Sequence, residues 1–244
     1  MFAIRIMTYH IHRCRGRDGN TDPQRILEVI RQGAPDLVAL QDVNNGEDPE
    51  QLSFLARQLG MKCYGSDRAG ANGFLSYFPL KGVQDYCLEE DGCCLRADLD
   101  VGGKRLHVFN LRLVGYPFRR RRQIRTLLGP DLLGKSSLGC PLLLLGDFAD
   151  FVWGAGDLAL LTSLQRIPHF FRSATYPAGF PLFSRDRGYL RNGLRIEKAA
   201  VQRSAPARAA STHLPVIYTV RLTDSRQYLR VDKLKNHRIE IAPG

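Results

Sequence analysis

The stretch Cys140-Pro141-Leu142-Leu143-Leu144-Leu145-Gly146-Asp147-Phe148 constrains this chain most. It is a short apolar run, opened by a proline and closed by Gly-Asp. Such a run reads as a strand buried on both faces, which belongs in a mixed or parallel sheet covered by helices. It ends on a carboxylate. An ionised Asp at the mouth of a buried strand is costly unless a cation or a hydrogen-bond donor meets it. Taken alone, the simplest role for Asp147 or Asp150 is to cap a helix running from about Gly154 to Leu164.

The same layout recurs upstream. Ala3 to Tyr9 alternates like a strand, and an Arg- and Gly-rich loop follows from Arg13 to Gly19. Thr21-Asp22-Pro23 then opens a helix with a cap residue and Pro in the first turn. Ile26, Leu27 and Ile30 form its apolar stripe, and Gly33 is placed to end it. Leu37 to Leu40 is a second buried strand, and Gln41-Asp42 puts a second carboxylate at a strand terminus. A helix from about Pro49 to Leu59 stops at Gly60. Strands are expected at Gly73 to Tyr77, Gly82 to Cys87, Cys93 to Val101 and Arg105 to Leu113, the last two joined by a Gly102-Gly103 hairpin turn. Arg119 to Leu128 is expected to be helical. Weaker strands lie near Tyr189, at Leu194 to Val201 and at Pro215 to Leu222. Hairpins and helical crossovers together predict mixed sheets with helices outside. Residues 1–225 read as a single domain, with 226–244 as an appendage.

Composition limits the partners. The 244 residues carry a formal charge of +11, which favours an anionic partner: nucleic acid, a phospholipid headgroup or a phosphorylated metabolite. No apolar stretch is long enough to span a bilayer and no signal-peptide layout is present. The six cysteines include an adjacent Cys93-Cys94 and no CxxC pair, which suits neither a zinc site nor a disulfide framework. They read as reduced thiols of a cytoplasmic protein. The Arg119 to Arg122 run reads first as a solvated helix face. Asp18 fits either turn chemistry or a cleft. His107 and His169 read as packing or surface residues, and Trp153 and Phe170-Phe171 as core or rim. No groove-entering or apolar surface loop stands out, which leans toward a small or headgroup-sized phosphoester.

Several strand ends, in order, carry a resemblance. Thr8-Tyr9-His10, Ala39-Leu40-Gln41-Asp42-Val43, Asn110-Leu111-Arg112-Leu113, Gly146-Asp147-Phe148-Ala149, Arg185-Asp186-Arg187 and Ser211-Thr212-His213-Leu214-Pro215 resemble the motif series of the endonuclease/exonuclease/phosphatase superfamily. Its members include deoxyribonuclease-I-like nucleases, sphingomyelinases and inositol polyphosphate phosphatases. Supporting stretches are His12 to Gly19, Asn72 to Leu80 and Thr175 to Ala178. The resemblance implies an α/β fold, a four-layer α-β-β-α sandwich of two mixed sheets flanked by helices. It also implies metal-assisted phosphoester hydrolysis in a cleft at one end of the sheets. A divalent ion, Mg²⁺ or Mn²⁺, neutralises phosphoryl oxygens there. By the same resemblance Asp42 stands at the metal position, Asp147, Asp186 and His213 at catalytic positions, and Arg112 and His10 where substrate is held.

The departures from that pattern are as informative. Asp42 replaces a Glu and is one methylene shorter, although magnesium demands tight octahedral geometry. Ala149 replaces the Asn of a Gly-Asp-Phe-Asn motif and offers no side-chain donor or acceptor. His10 replaces an Asn. Arg112 replaces a His and cannot serve as an acid or base near neutral pH. Thr212 replaces the Asp that, by the resemblance, polarises the following His. In a comparable dyad, replacing that Asp by Asn costs about 10⁴ in rate. His213 is therefore expected to be a poor base unless Asp147 or Asp186 takes over. With one carboxylate fewer and Arg112 added, the cleft should hold a hard cation weakly. Arg112 is expected to pair with Asp147 or Asp186. The expected function is a family protein with a weak or silent hydrolase site and a retained anion-binding cleft, requiring no cofactor. The alternative is an active Mg²⁺- or Mn²⁺-dependent phosphodiesterase or phosphatase using Asp42, Asp147, Asp186 and His213.

Overall fold

A computed structural model describes residues 3–44, 50–65, 70–89, 91–135, 138–150, 155–168 and 173–223. Trp153, His169, Phe170, Phe171 and the 226–244 tail lie outside the described residues.

The chain begins with strand β1 (Ala3–His10) and helix α1 (Pro23–Gly33). Asp22 caps the helix, its side chain accepting from the Gln24 N–H, and Pro23 fixes the first turn. Ile26, Leu27 and Ile30 are buried as the stripe requires. Gly33 does not end the helix by conformation. Ala34 does, at φ 43, while Gly33 packs where a Cβ would strike the Met7 side chain. Strand β2 (Leu37–Val43) and helix α2 (Gln51–Leu59) follow, the latter ended by Gly60 at φ 67. Strands β3 (Lys62–Gly65) and β4 (Ala71–Ser76) complete the first half.

The second half opens with β5 (Leu80–Cys87), β6 (Cys93–Val101) and β7 (Lys104–Arg112). Gly102 and Gly103, at φ 61 and 83, make the turn between the last two. Helix α3 (Pro117–Leu127) leads to β8 (Leu142–Asp147), helix α4 (Ala155–Leu161), β9 (Gln165–Arg166), β10 (Asp186–Arg191) and β11 (Leu194–Val201). Helix α5 (Ala205–Ala210) and β12 (Val216–Leu222) finish the described chain. The sequence reading lacks β3, β9 and α5. The two strands are short edges, and α5 is an alanine-rich turn and a half, capped by Ser204 through the Ala207 N–H.

Two six-stranded sheets result, in the orders β11-β12-β1-β2-β4-β3 and β5-β6-β7-β8-β10-β9. Each holds one parallel pair, β1/β2 and β7/β8, amid antiparallel neighbours. Ile4, Ile6, Leu37, Phe74, Leu95, Val108, Leu143 and Leu145 pack between the sheets. Leu142 and Leu144 point the other way, into a cluster with Ile124 and Leu127 of α3. The Leu142 run is thus buried on both faces. The outer face of the first sheet packs on α1 and α2 through Tyr9, Ile26, Ile30, Leu52 and Leu55. The expected four-layer sandwich is the observed fold. Gly146 matters to it: at φ 145 it lets β8 approach β7 so closely that a Cβ would fall on the Leu111 carbonyl.

Parallel pairing sends the C-terminal ends of β1 and β2, and of β7 and β8, in common directions. Strand β12 runs antiparallel to β1 and β10 antiparallel to β8, so their N-terminal ends join the same edges. A buried polar network ties the two sheets together there. Gln41 Nε2 donates to Asn110 Oδ1 (2.7 Å) and to Thr8 Oγ1 (3.0 Å). Asn110 Nδ2 donates to the Leu40 and Gly73 carbonyls. Asn72 Nδ2 donates to the Asn110 carbonyl. Each bond here replaces water that a buried amide would otherwise miss.

Candidate active site

This shared end collects all six residues singled out from the sequence. His10 closes β1, Asp42 lies near the end of β2, Arg112 closes β7 and Asp147 closes β8. Asp186 opens β10, and His213 precedes β12. Asp147 sits across from Arg112 on one side and from Asp186 on the other. Asp147, Asp186 and His213 are buried, and the site belongs to strand ends and not to helix caps. Among the described residues neither Asp147 nor Asp150 caps a helix. The Asp147 carboxylate accepts from Arg185 and from the Ala149 N–H, and Asp150 pairs with Arg187.

Asp42 is re-aimed by an irregularity in β2. The β2/β4 register shifts between Leu40 and Val43, and Asp42 takes φ 56. A left-handed non-glycine residue at a bulge is a feature that persists only where surrounding contacts hold it. Those contacts are cationic. Arg13 Nε donates to Asp42 Oδ1 at 3.2 Å, and Arg112 Nη1 lies 3.6 Å from the same oxygen. His10 Nε2 is 3.8 Å from Oδ2. Arg112 therefore pairs with Asp42 and not with Asp147 or Asp186. The reason is reach: its Nη2 is also tied to the Asp91 carbonyl at 3.1 Å, which turns the guanidinium toward β2. Burial works against the Arg112 charge, but Cys93 and Asp42 beside it hold its pKa above the ordinary value.

The other half of the cleft is built on Asp147 and Asp186. Arg185 grips Asp147 with two bonds, Nε–Oδ1 at 3.2 Å and Nη2–Oδ2 at 3.0 Å. His10 Nδ1 stands 3.2 Å from Asp147 Oδ2. Burial alone would raise the Asp147 pKa, but His213, His10 and Arg185 hold it far below the usual carboxylate range. Asp186 Oδ2 lies 2.8 Å from His213 Nδ1. Burial would depress His213, yet Asp186 and Asp147 outweigh it and raise its pKa. His213 thus has a charged partner, supplied by Asp186 and not by its sequence neighbour. Thr212 faces His12 instead, its Oγ1 3.5 Å from Nδ1. The His213 ring stacks on His10 at 4.4 Å and meets Tyr176 at 4.9 Å. Ala149 keeps φ 53, a left-handed conformation that Asn adopts more readily than Ala, but its side chain brings no polar group to the cleft.

Arg13, Arg185, His12 and Tyr176 complete the site. The Arg13, Arg15 and Arg17 loop is placed after the first strand so that it could line the cleft, but the sequence reading assigns none of the four these contacts. The signal available for Arg185 is indirect: a buried carboxylate at Asp147 requires a cation. Nothing in the spacing selects one 38 residues away.

The described residues around Asp42 do not fit a magnesium ion. Two guanidinium groups already lie on its inner oxygen, where a hard ion would need several oxygen ligands at about 2.0–2.1 Å. A second donor set, His10, Asp147 and His213, brings its ligand atoms within 4.8 Å of one another. Two imidazoles and one carboxylate suit a transition metal better than magnesium. The rings are only 19° from parallel, so their in-plane lone pairs do not converge on one point.

Comparison with known proteins agrees with this geometry. The sequence pattern described as the Endonuclease/Exonuclease/phosphatase family matches residues 8–216. The uncharacterized protein YbhP of Escherichia coli K12 is 24% identical over 91% of this chain and 97% of its own. Among solved structures, an endonuclease/exonuclease/phosphatase from Beutenbergia cavernae superposes with TM-score 0.70 at 21% identity, covering 91% of this chain and 72% of that one. The mannosyl-6-phosphatase of Bacteroides thetaiotaomicron gives 0.76 at 16% identity over 90% of this chain and all of that one. D. rerio TDP2 complexed with a single-strand DNA product gives 0.71 at 14% identity, covering 91% and 100%. These likenesses in structure carry the fold, and the match across residues 8–216 carries the kinship: the chain is a member of the endonuclease/exonuclease/phosphatase family.

Proposed function

We propose that this family member binds a phosphorylated ligand in the cleft and has weak or no metal-dependent hydrolase activity. The family is generally dependent on a divalent metal. The observation that carries the reading is the placement of Arg13 and Arg112 on Asp42, the position the resemblance gives to the metal-holding carboxylate. An arriving phosphate offers these guanidinium groups a competing acceptor, and Arg13, half exposed, can turn toward it. Ala149 removes the side chain that would orient water. In this reading Arg112, Arg13 and His10 hold the anion, and Asp147, Asp186 and His213 keep the cleft's charges in place.

Relatives of the fold are named for a phosphorylated sugar and seen with DNA. For this chain a phosphorylated small molecule or phospholipid headgroup is the ligand class that its compact loops favour over nucleic acid. The proposed unit is residues 1–225, with 226–244 as an appendage. No helix among the described residues is long and apolar enough to cross a membrane.

One observation favours an active enzyme instead. The Asp186–His213 pair is hydrogen-bonded and His213 is raised, so at neutral pH its ring is better able to protonate a leaving oxygen. The decisive assay offers p-nitrophenyl phosphate and bis-p-nitrophenyl phosphate with Mg²⁺, Mn²⁺ or chelator, with Asp147→Ala in parallel. The expected result is no turnover above the variant. Metal-dependent turnover that Asp147→Ala abolishes would overturn the proposal and establish the hydrolase.

A further inference from the structure

We propose that the cleft end of the molecule is a membrane-docking surface. Tyr116 and Phe118 at the start of α3, with Phe180 and Leu182 in the loop before β10, enter the interface of an anionic bilayer. The arginines of α3 meet its headgroups.

The side chains named are the wrong kind to be left in water. Phe118 is 86% exposed, Phe180 74%, Tyr116 69% and Leu182 60%. Single exposed apolar residues need no explanation, but bulky ones gathered on two loops beside one cleft do. Both loops touch the site. The ring of Tyr176, at the base of the 176–183 loop, packs against His213 and lies under the Arg185 guanidinium at 4.8 Å. At the start of α3, Arg120 Nη1 donates to the Ala149 carbonyl, and Ala149 in turn donates its N–H to Asp147.

Charge points to an anionic partner. Arg119, Arg121, Arg122 and Arg125 are exposed on α3, and no acidic residue occurs from Tyr116 to Leu128. Arg121, Arg122 and Arg125 line one depression with Phe118. Beneath the other loop, the Arg17 guanidinium packs on Gly179, a cation at the root of an apolar tip. Aromatic and Leu side chains projecting past a collar of Arg are the arrangement that lies in a lipid interface.

Nucleic acid fits this surface less well. Residues 177–182 read Pro-Ala-Gly-Phe-Pro-Leu, with no cation and no side-chain donor for a phosphate backbone. Leu182 offers no face on which a base could stack. The surface does not rest on the reading of the active site, because docking needs no turnover.

The test is cosedimentation of the full chain with large vesicles of phosphatidylcholine alone, or of phosphatidylcholine with phosphatidylglycerol at about 7:3. Wild type is expected to sediment with the anionic vesicles, far less with the neutral ones, and less as salt is raised. Arg121→Gln with Arg122→Gln should weaken partition about 30-fold. Phe180→Ser with Leu182→Ser should weaken it about 10-fold. Tyr77→Ser, an exposed aromatic at the far end of β4, should leave it unchanged. Wild type failing to sediment with anionic vesicles would overturn the proposal, as would equal partition of all the variants. So would a single-stranded oligonucleotide bound through the same residues by a protein that ignores vesicles. The vesicle and salt comparisons use wild type alone, so they decide even if a variant fails to fold.

Discussion

The two halves of the cleft have met the loss of family residues differently. Around Asp186 and His213 a charged partner for the imidazole is present, supplied from a separate strand. Thr212 supplies no charge, yet Asp186 reaches His213 from a separate strand at 2.8 Å. Around Asp42, in the proposed function, the chemistry is replaced. A shorter carboxylate on a left-handed bulge is held by Arg13 and Arg112, at the position the resemblance gives to a metal ligand. A substitution silences a site only when no residue close in space does its work. Position 212 has such a residue in Asp186, and among the described residues Asp42 meets only the basic side chains of Arg13, Arg112 and His10.

The largest effect should come from Asp147, which touches both arrangements. Asp147→Ala removes the buried carboxylate that Arg185 grips with two bonds and that His10 and His213 face. Removing one partner of a buried pair costs about 3–5 kcal/mol. Urea unfolding near neutral pH should show that loss, and a loss below about 1 kcal/mol would mean the cluster is solvated.

Asp186→Asn should come next, at about 1.5–3 kcal/mol for a hydrogen bond to a charged group. Its size depends on pH. The folded pKa of His213 is raised, so the pair's contribution is fully present below the ordinary histidine value of about 6.5 and is lost as pH rises through the raised value. In Asp186→Asn that dependence should shrink, and an NMR titration of His213 should show its pKa falling. A His213 titration that ignores the substitution would transfer its partnership elsewhere.

Asp42→Asn should cost least, about 1 kcal/mol, because Arg13 is half exposed and screened by water. Measured in the same urea series, a cost as large as that of Asp147→Ala would erase the contrast between the two halves.

Much of this was legible because buried strands announce themselves. The Leu142 run, the Leu37 run and the alternation in β1 place His10, Asp42 and Asp147 at strand ends before any contact is known. Caps and turns such as Asp22, Gly60 and Gly102-Gly103 are local chemistry and read correctly. The short edges β3 and β9 and the helix α5 bury too little apolar surface to leave a pattern. The pairings were the least legible part. Thr212 precedes His213, yet the two side chains meet different partners, His12 and Asp186. Arg112 was expected on Asp147 or Asp186 and is found on Asp42, since bulge geometry at β2 is not written in composition. The apolar rim was missed because Phe118 and Phe180 lie far apart in the chain.

The most direct measurement is a calorimetric titration of Mg²⁺ into the wild-type protein, beside Asp42→Ala and the double variant Arg13→Ala with Arg112→Ala. If guanidinium groups occupy the cation's place, wild type gives no binding at millimolar Mg²⁺, Asp42→Ala changes nothing, and the double variant gains a site. Tight binding by wild type that Asp42→Ala removes would contradict the account, because Asp42 would then hold a metal in spite of both arginines.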